Sequence, residues 1–184
     1  MFSIRYRLIG DEEQLRVISA EKFEVEFGGE GIPGDIELKF GAHMIGSCRE
    51  GILPKEACGW EDIDRWVDDL LKVLWLFENG EIYAAFRMIE YDNRWLEFYR
   101  KQNIVVVNEA RGVDKASTMN TFITKPIYSF LYYEPANCEV QYATFREVVL
   151  KCAQKFIREI SSLNPQLNHT QIISSISNKT QQLL

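Results

Sequence analysis

Histidine is scarce in this chain of 184 residues: only His43 and His169 occur, and neither Gly-x-Ser-x-Gly nor His-Glu-x-x-His is present. Catalytic arrangements of the Ser-His-Asp or Cys-His kind have few possible bases, which argues against hydrolases of those types. The four cysteines, Cys48, Cys58, Cys138 and Cys152, are scattered with no Cys-x-x-Cys pair, so they read as reduced thiols rather than a disulfide framework or a zinc site. His43, Cys48 and Cys58 share one connection, but their spacing matches no zinc module and a fourth ligand is missing; no metal and no cofactor is expected. There is no apolar run of membrane-spanning length, and MFSIRYRLIGDEEQ has no uninterrupted apolar segment behind a basic start. The expectation is a cytoplasmic protein with no membrane partner. Basic residues are also in deficit, 21 Lys plus Arg against 27 Asp plus Glu for a net charge of -6, which argues against nucleic acid and fits a basic protein partner or plain solubility.

What is present is enough apolar material for one core: 46% hydrophobic residues, 12% of the chain aromatic. Residues 1–164 are expected to form a single domain. Residues 165–184, rich in Gln, Asn and Ser with Leu167, Ile172, Ile173 and Ile176 thinly spaced, read as a polar tail or a weak third helix.

The strongest periodicity lies at 60–80, WEDIDRWVDDLLKVLWLFENG. At about 100° per residue, Ile63, Trp66, Val67, Leu70, Leu71, Leu74 and Phe77 share one side of a helix, opposite Glu61, Asp62, Asp64, Arg65, Asp68, Asp69 and Lys72. Trp75 and Leu76 break the pattern by facing the charged side. A second amphipathic helix is expected from a Thr144 to Glu147 capping box through Ile160, carrying Phe145, Val149, Cys152, Ala153 and Phe156 inward.

Alternation predicts strands at 3–9, 22–27 and 35–40, with a glycine-rich hairpin turn at 28–34 and an irregular connection at 43–59. Residues 82–91 and 94–99 flank Asp92-Asn93 as a hairpin, 104–108 reads as a buried strand, 111–120 as a loop, and 121–133 as edge or connecting structure. The predicted fold is α+β, a largely antiparallel sheet covered by two long amphipathic helices.

Three constellations bear on function. Glu61, Asp62, Asp64, Asp68 and Asp69 form an acidic helix face, and Trp75 beside it has the composition of an interface anchor within a charged rim. Tyr128, Phe130, Tyr132 and Tyr133 line up as a strand-borne aromatic cluster, which reads as sheet packing or a ligand pocket. Glu37-Leu38-Lys39, with Glu24 or Glu26 on a neighbouring strand, is similar to the carboxylate and Glu-x-Lys arrangement of metal-dependent nucleases.

The order of strands, long helix, hairpin and C-terminal helix, with WEDIDRWVDDLL and the later RWLEFY, resembles small uncharacterised bacterial α+β proteins of the polymorphic-toxin immunity type. The resemblance spans roughly residues 4–107. It implies a nonenzymatic protein that binds and neutralises a cognate toxin. The alternatives are a nuclease-like enzyme using Glu37 and Lys39 and a homo-oligomeric scaffold.

Overall fold

A computed structural model describes residues 1–9, 12–26, 31–54, 57, 59, 61–88, 93–113, 121–126 and 129–184 of the chain. Strands β1 (Phe2–Leu8) and β2 (Pro33–Phe40) pair antiparallel, placing Arg5 opposite Glu37 and Arg7 opposite Asp35. Tyr6, Ile36 and Leu38 point the other way and are buried. On the charged face Arg5 reaches both Glu37 oxygens at 3.1 Å and Glu50 at 2.8 Å, while Arg49 pairs with the buried Asp35 at 2.7 Å. Burial opposes ionisation of Asp35, but the bonds from Arg49 outweigh it and hold the carboxyl below its ordinary range.

Strand β3 (His43–Ser47) returns along β2 through Gly41-Ala42, where Gly41 has φ +63°. The connection expected to be irregular therefore opens with a strand. Its signal is the glycine, which supplies the positive φ of a tight hairpin turn.

The strand expected at 22–27 is a helix. Behind α1 (Glu12–Val17), α2 (Ala20–Glu26) starts where Ser19 Oγ accepts from the Lys22 backbone N–H at 3.2 Å, and Lys22 pairs with Glu26 one turn on at 3.4 Å. Of the alternating apolar residues that are described, Phe23 is buried and Val25 is 85% exposed, and a capped run of helix formers overrides the period of two. Phe27 to Glu30 lie outside the described residues. The described element before the glycine stretch at 28–34 is therefore α2, and β2 begins within the stretch at Pro33.

β4 (Glu61–Asp62) pairs with Pro33 and Gly34. A Cβ on Gly34 would stand 2.3 Å from the Arg7 carbonyl oxygen and 2.5 Å from Ile63 Cγ1, and one on Gly59 would stand 2.1 Å from Gly34 N. Two glycines thus let β1, β2 and the approach to the central helix meet at backbone distance. That helix, α3 (Ile63–Glu78), begins three residues later than the sequence suggests, and Trp60 lies outside the described residues.

The strands after α3 make a second antiparallel sheet from β5 (Tyr83–Met88), β6 (Arg94–Lys101), β7 (Ile104–Gly112), β8 (Phe122–Ile123), β9 (Phe130–Tyr132) and β10 (Cys138–Gln141). Their order is β10-β7-β6-β5-β8, with β9 on the end of β7. The anticipated hairpin and the β-branched 104–108 run are its centre. Asn93, at φ +53°, takes the left-handed conformation at the hairpin end, while Asp92 and the 114–120 segment lie outside the described residues. One sheet was expected and the described strands form two.

α4 (Tyr142–Leu163) starts from Gln141 with no side-chain cap bond, two residues before the anticipated capping box, which falls within its first turns. A 3-10 turn (Pro165–His169) leads into α5 (Gln171–Leu183), whose Ile173, Ile176, Thr180 and Leu183 are buried. Both sheets share one core with the helices. Its aromatic thread runs from Phe40 to Phe2 at 4.9 Å, Phe2 to Phe145 at 5.7 Å, Phe145 to Phe98 at 5.9 Å, Phe98 to Phe86 at 5.6 Å, and Phe86 to Trp66 at 5.5 Å. Among the described residues no helix is long and apolar enough to cross a membrane.

Candidate functional site

The acidic residues of the α3 region are not one exposed face. Glu61 is buried, and its Oε2 accepts from the Trp66 indole N–H at 2.8 Å. Asp64 is buried too and accepts from the Ile32 backbone N–H at 2.8 Å; burial raises its pKa and that backbone bond offsets part of the rise. Asp62 pairs with Arg65 at 3.4 Å. Asp68 accepts from Lys179 Nζ at 2.6 Å and from Ser175 Oγ at 3.2 Å, both on α5. Asp69, partly buried beside Asp68, is pushed up to about 7, first by desolvation and then by its neighbour's charge. The periodicity counted these side chains as solvent-facing because helical period alone cannot show that β2 and α5 lie against the polar side. Val73, fully buried and absent from the expected apolar stripe, is the sign of that second covering.

Trp75 is different: 40% of its surface is exposed. It sits one turn short of the C-terminus of α3, two turns beyond Asp68, at a groove of about 370 Å³ that Glu78, Asn79, Arg146, Gln182 and Leu183 also line. Arg146 crosses the groove, pairing with Glu78 at 3.0 Å and donating to the Leu183 carbonyl. The groove therefore has an aromatic wall and an ion pair on its rim. Of the six residues expected to meet a partner, Trp75 is the exposed one, Asp62, Asp68 and Asp69 are partly covered, and Glu61 and Asp64 are interior.

The residues of the nuclease alternative are not brought together. Glu37 is buried against Arg5 and Lys39 is exposed on the same strand face, but Glu24 and Glu26 belong to α2 instead of a neighbouring strand. Glu24 accepts from the Gln171 backbone N–H at the start of α5, and Glu26 accepts from Gln14 at 3.1 Å. Among the described residues no group of three or more His, Cys, Asp or Glu side chains is placed to hold a metal ion. His43 lies in β3, Cys48 follows it, and Cys58 is outside the described residues.

The aromatic cluster is divided. Tyr128 lies outside the described residues, Phe130 packs on Trp95 at 5.7 Å, and Tyr133 lies under the Arg94 guanidinium at 4.8 Å. Tyr132 turns toward a buried polar centre that the sequence did not disclose. There Glu97, 1% exposed, accepts from Tyr83 at 3.1 Å, Tyr99 at 2.9 Å and Asn108 at 3.3 Å. Desolvation and the Glu97 charge raise the pKa of Tyr83, so its hydroxyl stays a donor. Every oxygen of this carboxylate is occupied by its own chain, which makes the centre a structural clasp on the sheet face opposite the main core.

Comparison with known proteins gives no match: no family model, no curated protein and no solved structure is similar to this chain at a meaningful level.

Proposed function

We propose that the protein is a nonenzymatic protein-binding domain of the toxin-immunity type, and that its partner docks on the groove at Trp75. The observation that supports this is the large aromatic left 40% exposed beside a charged rim, in a molecule that buries Trp66 and Trp95. Buried aromatics surrounded by ion pairs are the usual anchors of tight interfaces, and a tryptophan already standing in a groove loses little freedom on binding.

The test is co-expression of the full chain with the catalytic domain of the secreted protein encoded immediately upstream. Growth should be restored and the two chains should elute together. Trp75→Ala should abolish both effects while lowering the melting temperature of the free protein only slightly, because much of the ring is already in water. Rescue that survives Trp75→Ala places the interface elsewhere; absence of any such upstream protein removes the immunity reading.

A further inference from the structure

β1 is an edge of its sheet: the strand order is β1-β2-β3, and β2 takes one side of it. The ladder fixes which groups are left over. Gly41 N donates to the Met1 carbonyl at 2.8 Å and Ile9 N to the Pro33 carbonyl at 2.9 Å, so the odd-numbered residues of β1 are the ones that bond β2. The even-numbered residues turn their N–H and C=O groups the other way, and among the described residues nothing bonds those of Ile4, Tyr6 or Leu8.

Open space lies beside this edge. A volume of about 680 Å³ meets Tyr6, Arg7 and Leu8 in succession. Tyr6 and Leu8 turn their side chains to the core, whereas Arg7 turns the other way to the Gly51 carbonyl at 2.7 Å, so the volume follows the edge of the strand and not one face of it. α4 forms the opposite wall. Phe145 stacks on Phe2 at 5.7 Å and Phe156 meets Tyr6 at 6.1 Å, so the helix runs alongside the strand, and Glu159 and Ser162 line the volume beyond Tyr6. The Tyr6 hydroxyl donates to Glu159 at 2.6 Å and holds the edge in place. Leu15 and Leu163 make the far end apolar, and a second depression of about 280 Å³ opens at Phe2, the other end of the same edge.

A row of unpaired N–H and C=O groups is a template for another strand, and proteins blunt such edges with brevity, proline, bulges or cover. β3, on the other side of the sheet, has five residues and is interrupted by Gly46 at φ +74°. β1 has seven residues, no proline and no positive φ. Its guard is charge: pairing two copies of β1 about the middle of the strand sets the two Arg5 side chains opposite each other, a destabilising arrangement. That guard acts against a second copy and not against a different chain. We infer that a partner protein adds an extended segment to β1 in this groove, bonding Ile4, Tyr6 and Leu8 through its backbone and turning every second, apolar side chain toward Leu8, Leu15 and Leu163. Spanning residues 4 to 8 takes about five residues, roughly 13 Å of strand. Main-chain bonds supply the affinity and the apolar wall the sequence preference. The inference is independent of the toxin-immunity reading, since it uses no residue of the Trp75 groove.

The probe is a fluorescein-labelled, amidated heptapeptide alternating valine and glutamate, whose charges keep it from pairing with itself. Titration with the full chain, followed by fluorescence anisotropy, should give a Kd below about 1 mM. A bound strand offers one side to β1, so N-methylating one alternate set of peptide amides should weaken binding by about tenfold or more, and methylating the other set should leave it unchanged. Hydrogen exchange read by NMR should slow at the amides of Ile4, Tyr6 and Leu8 when the peptide binds. Leu8→Pro removes a donor that β2 does not use, so it should keep the ladder and weaken the peptide by about tenfold or more. Should that variant fail to fold, the methylated peptides and the exchange pattern decide the matter on the native protein. No binding, equal losses from both methylated sets, or protection confined to another edge would each overturn the inference. Self-association of the chain that protects the same three amides would overturn it too, by putting a second copy in the partner's place.

Discussion

Asn164 closes α4 with both ends of one amide. Its Nδ2 donates to the carbonyls of Leu15 at 2.9 Å and Ile18 at 2.7 Å, and its Oδ1 accepts from Gln166 N at 3.1 Å. The residue is 5% exposed, so truncation strands two carbonyls away from water. Asn164→Ala should therefore cost about 1 to 3 kcal/mol in urea denaturation, and Asn164→Asp, which keeps the acceptor but has no donor, should not restore the loss. Asp69 makes the opposite kind of contribution. Its folded pKa of about 7 lies above its ordinary value of 3.8, so the folded state holds the proton more tightly than the unfolded chain does. The sign follows from linkage: the contribution is full below the ordinary value and is lost as pH rises through about 7. Asp69→Asn cannot ionise, so melting curves should show the variant gaining on the native protein between pH 4 and 8 and matching it at the acidic end. A constant offset across that range would mean that Asp69 ionises as freely folded as unfolded.

α3, α4 and the β5 to β7 strands were legible because each carries a long apolar pattern, although burial goes beyond it: β5 to β7 are covered on both faces, and α3 buries Asp64 and Val73 outside its expected stripe. α2 and β3 were not. In α2 the alternation of Phe23 and Val25 is an accident of a helix with one buried residue, and β3 has too few apolar side chains to announce itself beyond its turn glycine. α5 shows the limit in another way. Its buried residues are spaced as a helix, but between them stand Ser, Asn and Gln, and whether such a segment packs depends on a partner that the sequence does not point to. The partner is the polar side of α3, where Lys179 holds Asp68 and Val73 is sealed. Ile176→Ala should consequently cost about 2 to 5 kcal/mol, a core-sized loss that chemical denaturation will resolve, whereas a tail would show none. The candidate sites divide along the same line. Trp75 was visible as a break in one helix's pattern, while the groups around Glu97 come from β5, β6 and β7 and become neighbours only when the sheet forms.

Among the described residues the two sheets share no hydrogen-bond ladder and are unified by side chains. Phe145 of α4 stands at the junction, with Phe2 of the first sheet on one side and Phe98 of the second on the other. Each sheet contains strands paired close in sequence, β2 with β3 in the first and β5, β6 and β7 in the second, but this junction joins residues from opposite ends of the chain, as does the Tyr6 bond to Glu159 across 153 positions. Closing so long a loop is entropically costly until the local hairpins have formed. The aromatic thread, central in space, is thus expected to form late in time, so that its strength should govern how long the folded state lasts more than how fast it arises. Phe145→Leu should accelerate unfolding in stopped-flow experiments while leaving the refolding rate nearly unchanged, the signature of an interaction absent from the transition state. A refolding rate that fell in proportion to the lost stability would instead put the junction in the nucleus, and the two sheets would have to find each other before either was complete.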